Sequence, residues 1–360
     1  MKNVLLTGGT GFLGWEMAKT LLKDPSIDLF MLARSQKGKG PEERVRDLIK
    51  KDYPKYEQDG ISKRIEIIDG DITQPNFGLI NGRLKALCEK IDTIFHSAAL
   101  CEFGVAWEKI KKINVDGTEN MLLFAIRCNN IKRVNHISTV ALAGSFSGIF
   151  KEDFLDIGQD FHNTYEMSKF EAEKLCVDFR KQGLEVSIYR PGVITGHYKT
   201  GETENFQMFY QFLHILSLEL FDNLPVNKHI KYGFVPVDYV ARAIITISRS
   251  TSNNKVYQLV NPNTISFDDF MDKAVKYFGF KRPLLIPKNQ FDFSSIIGFR
   301  RKLIDFYLPY MVHEKIDFGM ENFTNAINGS TFSWPKVDDI FLEPLFEYCD
   351  KIGYIKRKKR

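Results

Sequence analysis

Cysteine is scarce in this chain, and so is unbalanced charge. Only five of the 360 residues are Cys: Cys88, Cys101, Cys128, Cys176 and Cys349. The number is odd and no two form a Cys-x-x-Cys pair. Neither a disulfide framework nor a zinc site can organise the fold, and reduced thiols in a cytoplasmic setting are expected. Basic residues exceed acidic ones by 50 to 45, but Lys356, Arg357, Lys358, Lys359 and Arg360 account for the whole excess. The body lacks the basic face that a nucleic-acid backbone would require. Long apolar runs are also missing. The longest, Phe206 to Phe221, is interrupted by Gln207, Gln211, His214 and Glu219, so no transmembrane segment is read. No leader is read either, because Met1 runs directly into Val4-Leu5-Leu6 and a Gly-rich turn. No internal repeat and no metal-ligand cluster is visible.

What is present is a rhythm of short apolar runs alternating with helix-like segments. Candidate strands fall at Val4–Leu6, Asp28–Leu32, Ile65–Ile68, Thr93–Phe95, Val134–Ser138, Val186–Tyr189 and Val256–Val260. Phe12–Leu22 and Glu42–Lys51 have helical spacing between them. This alternation predicts βαβ units, an α/β fold and a doubly wound parallel sheet. After residue 200 the rhythm stops. Helices are expected over 206–221, 266–279 (with Ser266 as N-cap) and 294–312. The expected organisation is a nucleotide-binding part over 1–200 with returning elements at about 230–262. A smaller, mostly helical substrate part would occupy 201–229 and 263–355, and a solvated basic tail 356–360. The tail could also attract an acidic carrier protein or an anionic membrane surface.

Thr7-Gly8-Gly9-Thr10-Gly11-Phe12-Leu13-Gly14 follows the first strand and opens the first helix. Gly8, Gly11 and Gly14 allow a sharp turn and close approach of a pyrophosphate, and the free amides of the helix start favour phosphate. The second strand ends in Ala33-Arg34-Ser35. An acidic residue here would hold a ribose 2′-hydroxyl, whereas Arg34 can hold a 2′-phosphate, with Arg44 helping if the next helix brings it near. NADP(H) is therefore expected over NAD(H), although Arg34 read alone is also an ordinary surface charge. Asp71 could meet the adenine, with Ile72 supplying backbone contact, or simply cap a turn.

Tyr165 and Lys169 lie four apart, hence on one helical face. A nearby ammonium favours the ionised phenol, so the Tyr165 pKa is expected below about 10. Tyr165 could then exchange a proton with a carbonyl oxygen. A hydroxyl at Ser138 or Thr139, at the end of the fifth strand, could bond the same oxygen.

These segments, with Gly70-Asp71, His96-Ser97-Ala98-Ala99, Asn114-Val115-Asp116-Gly117-Thr118, Arg190-Pro191-Gly192 and Phe234-Val235-Pro236-Val237-Asp238, resemble the extended short-chain dehydrogenases/reductases over roughly residues 1–260. The likeness is greatest to the thioester-reductase and fatty acyl-CoA reductase branch, whose NAD-binding part is male-sterility-like. The resemblance implies Thr139, Tyr165 and Lys169 as catalytic, with Lys169 also on the ribose. It implies that His96, Ser97, Ala98, Ala99 and Asn114 line or support the cofactor, and that Pro191, Gly192, Val193 and Ile194 lie near the nicotinamide. The activity it implies is reduction of an acyl thioester, on coenzyme A or a carrier protein delivered in trans, to an aldehyde or alcohol. Glu102 departs from the small or amide residues common at its position. Two other readings stand beside this one: a sugar-nucleotide epimerase/dehydratase or hydroxysteroid-type dehydrogenase, and a nucleotide-sensing scaffold. Phe is enriched after residue 200, with 18 of the 30 there. Phe206, Phe209, Phe212, Leu213 and Leu216 either line an apolar acyl tunnel or form ordinary core.

Overall fold

A computed structural model describes residues 1–36, 38–55, 60–250, 254–312 and 316–358, with the side chains of residues 311 and 312 left aside. Seven parallel strands form the central sheet: β1 (Asn3–Thr7), β2 (Asp28–Ala33), β3 (Ile65–Asp69), β4 (Thr93–His96), β5 (Arg133–Ile137), β6 (Val186–Pro191) and β7 (Val256–Leu259). Their order is β7-β6-β5-β4-β1-β2-β3. Strands such as Val4-Leu5-Leu6 and Leu29 to Leu32 are apolar throughout because helices cover both faces. The chain winds outward from β1 to β3, then crosses back to β4. That reversal opens a crevice at the carboxyl ends of β1 and β4, where α/β sheets bind ligands.

On one face α1 (Phe12–Leu22) packs against α8 (Val237–Ser248), burying Trp15, Met17, Leu21, Val240 and Ile244 with the sheet. On the other face α3 (Asn81–Lys90), α5 (Asp116–Ala125) and α6 (Thr164–Lys181) bury Leu84, Met121, Leu122, Cys176 and Phe179. Between them in sequence, α2 (Pro41–Asp52) lies beside β3, and α4 (Trp107–Asn114) packs on α6. The second core gathers α7 (Phe209–Ser217), α9 (Phe267–Phe278), α10 (Gly298–Val312) and α12 (Asp339–Lys351) around Phe209, Phe270, Phe278, Tyr307, Phe341 and Phe346.

Three features of the C-terminal half differ from expectation. First, α7 is shorter than 206–221, because the backbone turns left-handed at Met208 (φ 40°) and Glu219 (φ 53°). By contrast, α9 is capped by the Ser266 hydroxyl accepting from the Asp269 amide at 3.1 Å. Second, residues 316–334 fall inside the expected substrate part but pack back against the core of the sheet. Ile316–Phe318 forms a separate two-stranded ladder with Gly148–Phe150, and α11 (Glu321–Ile327) packs on β7 and α8, so that Phe323, Phe332 and Trp334 join the core beneath α8. The buried Glu152 carboxylate draws this segment in by accepting from the Asn322 and Phe323 amides. Third, the described part of the tail is exposed but held by the body. The Lys358 amide donates to Phe278 O at 2.8 Å, and the Arg357 guanidinium lies 5.0 Å over the Tyr277 ring. Lys359 and Arg360 lie outside the described residues. Among the described residues no helix is long and apolar enough to cross a membrane.

Candidate active site

The glycine turn forms the floor of the crevice. Gly8 sits at φ 70°, and a Cβ there would lie 2.5 Å from the Ala98 backbone nitrogen. A Cβ on Gly14 would lie 2.1 Å from Gly8 O, so α1 can start this close to β1 only with glycine at both places. Gly11 is the N-cap and offers no side-chain cap, which leaves the first-turn amides from Phe12 and Leu13 onward without a side-chain acceptor. Such a helix start, opening on a crevice between β1 and β4, fits a pyrophosphate.

Arg34 and Arg44 converge beside this turn. The Arg44 guanidinium donates to Thr10 Oγ1 and to Arg34 O, each at 2.7 Å. Burial and the neighbouring Arg34 charge lower the Arg44 pKa. Two adjacent cations are mutually unfavourable, and a nearby anion relieves them. Asp71 does so in part, at 3.5 Å from Arg34. Asp71 also accepts from the Thr73 amide at 2.8 Å, which is the turn-capping role its sequence position allows. Ile72 is buried, and its carbonyl accepts from Asn120 Nδ2.

The opposite wall is the segment after β4. Ser97, Ala98 and Ala99 are half-buried, with the Ser97 amide on Thr7 O. His96 stands behind them instead of on the crevice. It is buried between Thr7 Oγ1 and Thr118 Oγ1, and burial with the Lys169 charge lowers its pKa to about 3. Asn114 is a brace. It accepts from the Leu100 amide, donates to Leu100 O and reaches Ser168 Oγ at 2.9 Å, tying this segment to α6. Pro191, Gly192, Val193 and Ile194 leave the end of β6. Gly192 N donates to Leu259 O, and Ile194 pairs with Val235.

Thr139, Tyr165 and Lys169 come together at the end of β5. Asn163 caps α6 and, with Glu166 three residues later, fixes where that helix begins. Tyr165 and Lys169 then face the strand end. The Thr139 hydroxyl and the Cys101 thiol both lie within reach of the Tyr165 hydroxyl. The Tyr165 pKa differs from expectation: it is raised well above the usual value, by burial and then by Cys101, while Thr139 pulls it down. The Lys169 ammonium is engaged elsewhere, donating to Ile137 O at 2.7 Å, and burial lowers its own pKa.

Aromatic side chains extend the site away from the sheet. Phe103 packs on Tyr165 (ring centroids 5.7 Å), Phe306 (5.8 Å) and Tyr310 (5.9 Å). Tyr310 donates to Glu166 Oε1 at 2.7 Å and accepts from Asn163 Nδ2 at 2.7 Å, which anchors α10 to the start of α6. At Tyr310 opens a narrow pocket lined also by Val193, Phe209, Phe212, Tyr232, Phe267 and Tyr307 among others. Of the residues expected to line a tunnel, Phe209 and Phe212 do so. Leu213 and Leu216 are core, and Phe206 packs on Tyr210 and Tyr354. The contributions of Phe103, Phe306 and Tyr310 had no sequence signal, whereas the Asn163/Glu166 cap did. Among the described residues no cluster of His, Cys, Asp or Glu could hold a metal ion.

A Rossmann sheet with a glycine-rich turn, and Thr139, Tyr165 and Lys169 at its edge, defines an NAD(P)-dependent oxidoreductase of the extended short-chain dehydrogenase/reductase type. The family described as male sterility protein, an NAD-binding family, matches residues 6–244, and the chain belongs to it. It is 30% identical over 286 residues to one component of the linear gramicidin synthase of Brevibacillus parabrevis, covering 77% of this chain but 5% of that protein. It is 28% identical over 324 residues to the fatty acyl-CoA reductase wat of Drosophila melanogaster, covering 77% of this chain and 61% of that one. The chain thus spans less than two thirds of the length of either relative. Among solved structures, the terminal R domain of the myxalamid biosynthetic pathway superposes with a TM-score of 0.84 at 28% identity, over 100% of this chain and 93% of that one. A UDP-glucuronic acid 4-epimerase from Bacillus cereus shares the fold at 17% identity, with a TM-score of 0.69 over 98% of each chain.

Proposed function

We propose that this protein is an NADPH-dependent reductase of acyl thioesters, acting on an apolar acyl group carried by coenzyme A or a carrier protein. The observation that carries this reading is the aromatic cavity reached from Tyr165 through Phe103 and Tyr310. The residues named as lining it include no charged side chain, which suits an acyl chain and gives a nucleotide sugar nothing to pair with. Support for NADPH comes from Arg34 and Arg44, two guanidinium groups beside the phosphate-binding turn that a 2′-phosphate would bridge. The likeness to fatty acyl-CoA reductase and to reductase domains supports the reaction class.

In this reading Gly8, Thr10, Gly11, Phe12, Leu13 and Gly14 hold the pyrophosphate. Ile72, Ser97, Ala98 and Ala99 flank the adenosine side, Asn114 supports that wall, and Pro191 to Ile194 back the nicotinamide. Residues 1–200 with 230–262 hold the cofactor, and α7, α9, α10 and α12 supply the substrate side. When bound, the cofactor supplies hydride. Thr139 and Tyr165 donate hydrogen bonds to the thioester carbonyl oxygen, stabilising the charge that develops there. The raised pKa of Tyr165 keeps it protonated and able to give that proton up to the oxygen. Lys169 orients the ribose and, once turned from Ile137 O, brings its charge to the phenol.

The test is NADPH oxidation followed across long-chain acyl-CoA, carrier-bound acyl thioesters, aldehydes and sterols, with NADH in parallel. Thioester-dependent NADPH oxidation is expected, with Tyr165→Phe slowing it about 10²–10⁴-fold. Turnover of another carbonyl class without thioesters overturns the proposal.

A further inference from the structure

We propose that the surface joining the start of α10 to the 218–223 loop and the Lys281–Leu284 segment is a docking face for an anionic lipid bilayer. Four large apolar side chains stand out into solvent there: Leu218 is 50% exposed, Leu284 66%, Ile297 80% and Phe299 68%. Cations are interleaved with them. Lys281 Nζ lies 2.7 Å from Asp222, and Lys358 Nζ lies 2.5 Å from Glu219. Arg300 is close enough to Asp222 to help hold its carboxyl below the usual range, and Lys302, three residues after Phe299, is exposed on the same helix.

The backbone makes this one surface. The Leu284 amide donates to Asp222 O at 2.8 Å, Leu284 pairs with Asn223 in a short parallel ladder, and α10 packs against that ladder. The tail joins it through the Lys358 amide on Phe278 O. Lys281, Arg282, Arg300, Lys302 and Lys358 stand here against Glu219, Asp222, Asp268 and Asp272, an excess of one cation.

Exposed Phe, Ile and Leu set among Lys and Arg match what a headgroup layer offers. The apolar side chains enter the acyl boundary and the cations meet anionic headgroups. An acidic protein would satisfy the cations but leave the four apolar side chains to be matched one by one, whereas a bilayer takes both together. The position relative to the site fits as well. The same two helices carry both features: α7 lines the cavity with Phe209 and Phe212 and is followed directly by Leu218, and α10 lines it with Tyr307 and Tyr310 and carries Phe299 in its first turn. The cavity therefore lies between this face and Tyr165. The benefit to catalysis rests on the reductase reading, since an apolar acyl chain or its aldehyde partitions into lipid; the docking itself does not.

Co-sedimentation of the full chain with vesicles tests the proposal. Phosphatidylcholine alone is compared with phosphatidylcholine mixed with phosphatidylglycerol, at low and raised salt, without cofactor or substrate. Binding to the anionic vesicles only, reversed by salt, is expected. Arg300→Glu with Lys302→Glu should weaken it at least about tenfold, and Ile297→Ser with Phe299→Ser should weaken it comparably. Both variants should keep the wild-type melting temperature and their turnover of a soluble short-chain thioester. Absence of binding, or binding that ignores both variants, overturns the proposal, and capture of an acidic carrier protein in place of vesicles replaces it with a protein partner. Vesicle binding without any thioester reduction would leave the docking face standing and remove the reductase reading; the converse result would do the opposite.

Discussion

Replacing Glu173 by Gln should unfold this protein several degrees earlier, although Glu173 is not expected to touch cofactor or substrate. Glu173 on α6 and Arg190 on β6 form a buried pair, 0% and 1% exposed, with nitrogen–oxygen distances of 2.7, 3.0 and 3.2 Å. Arg190 also donates to Phe154 O and lies 5.4 Å over the Phe150 ring. Gln keeps the shape and one acceptor but removes the charge, leaving a buried guanidinium with the more distant Glu152 carboxylate as its remaining anion. Breaking such a pair from one side costs about 3–5 kcal/mol, and the retained acceptor places this case at about 3. Unfolding entropy of about 2.1 cal/mol/K per residue converts that to a melting temperature lowered by about 4 °C for a chain of this length. Differential scanning fluorimetry reads the shift directly. Glu173→Leu combined with Arg190→Leu should recover most of it, because an apolar pair needs no compensating charge. A single variant melting within a degree of the parent, or a double variant less stable than the single one, refutes the argument. Glu173 lies one turn beyond Lys169, so the pair also helps seat α6 against the sheet.

Arg34→Ala should raise KM for NADPH about tenfold and leave KM for NADH unchanged, since half of the Arg34 side chain is in water and screening limits its contribution. Stability should fall as pH drops from 6.5 to 4.5. His96 is held neutral with a folded pKa of about 3, below its unfolded value of about 6.5. Its contribution is therefore full above pH 6.5 and shrinks by about 2.7 kcal/mol at pH 4.5, and a flat melting profile over that window contradicts it. His136, whose ring stacks on His96 and whose pKa burial also pushes down, acts in the same direction. Phe212→Trp should narrow the cavity and reduce kcat/KM about tenfold for bulky acyl thioesters while sparing acetyl-CoA, as read from NADPH oxidation.

The parts of this molecule that were legible in its sequence are those set by neighbours along the chain. The strands are apolar runs, the turn from Gly8 to Gly14 is a local backbone requirement, and Tyr165 and Lys169 share a face because they lie four apart. The Ser266 cap is equally local; the Asn163/Glu166 cap has the same local pattern but was not read from it. Illegible were effects made only by packing. Tyr310 meets Glu166 across 144 positions, and nothing in either neighbourhood announces it. The same holds for Phe306 against Phe103, and for the return of residues 316–334 to the core of the sheet. The proton affinity of Tyr165 was misjudged because spacing gave the ammonium of Lys169 but not its direction. In the folded chain that ammonium bonds Ile137 O, and burial decides.

The return of residues 316–334 also bears on how the chain can be made. Phe323, Phe332 and Trp334 close the same apolar layer that Trp15, Met17 and Leu21 open. A nascent chain emerging from the ribosome can pair its first strands early, yet it cannot seal the layer beneath α1 and α8 until residue 334 has cleared the exit tunnel. Folding of the nucleotide-binding part is thus completed late in synthesis, and that layer stays open to chaperones until then. A fragment stopping at residue 262 would expose it permanently.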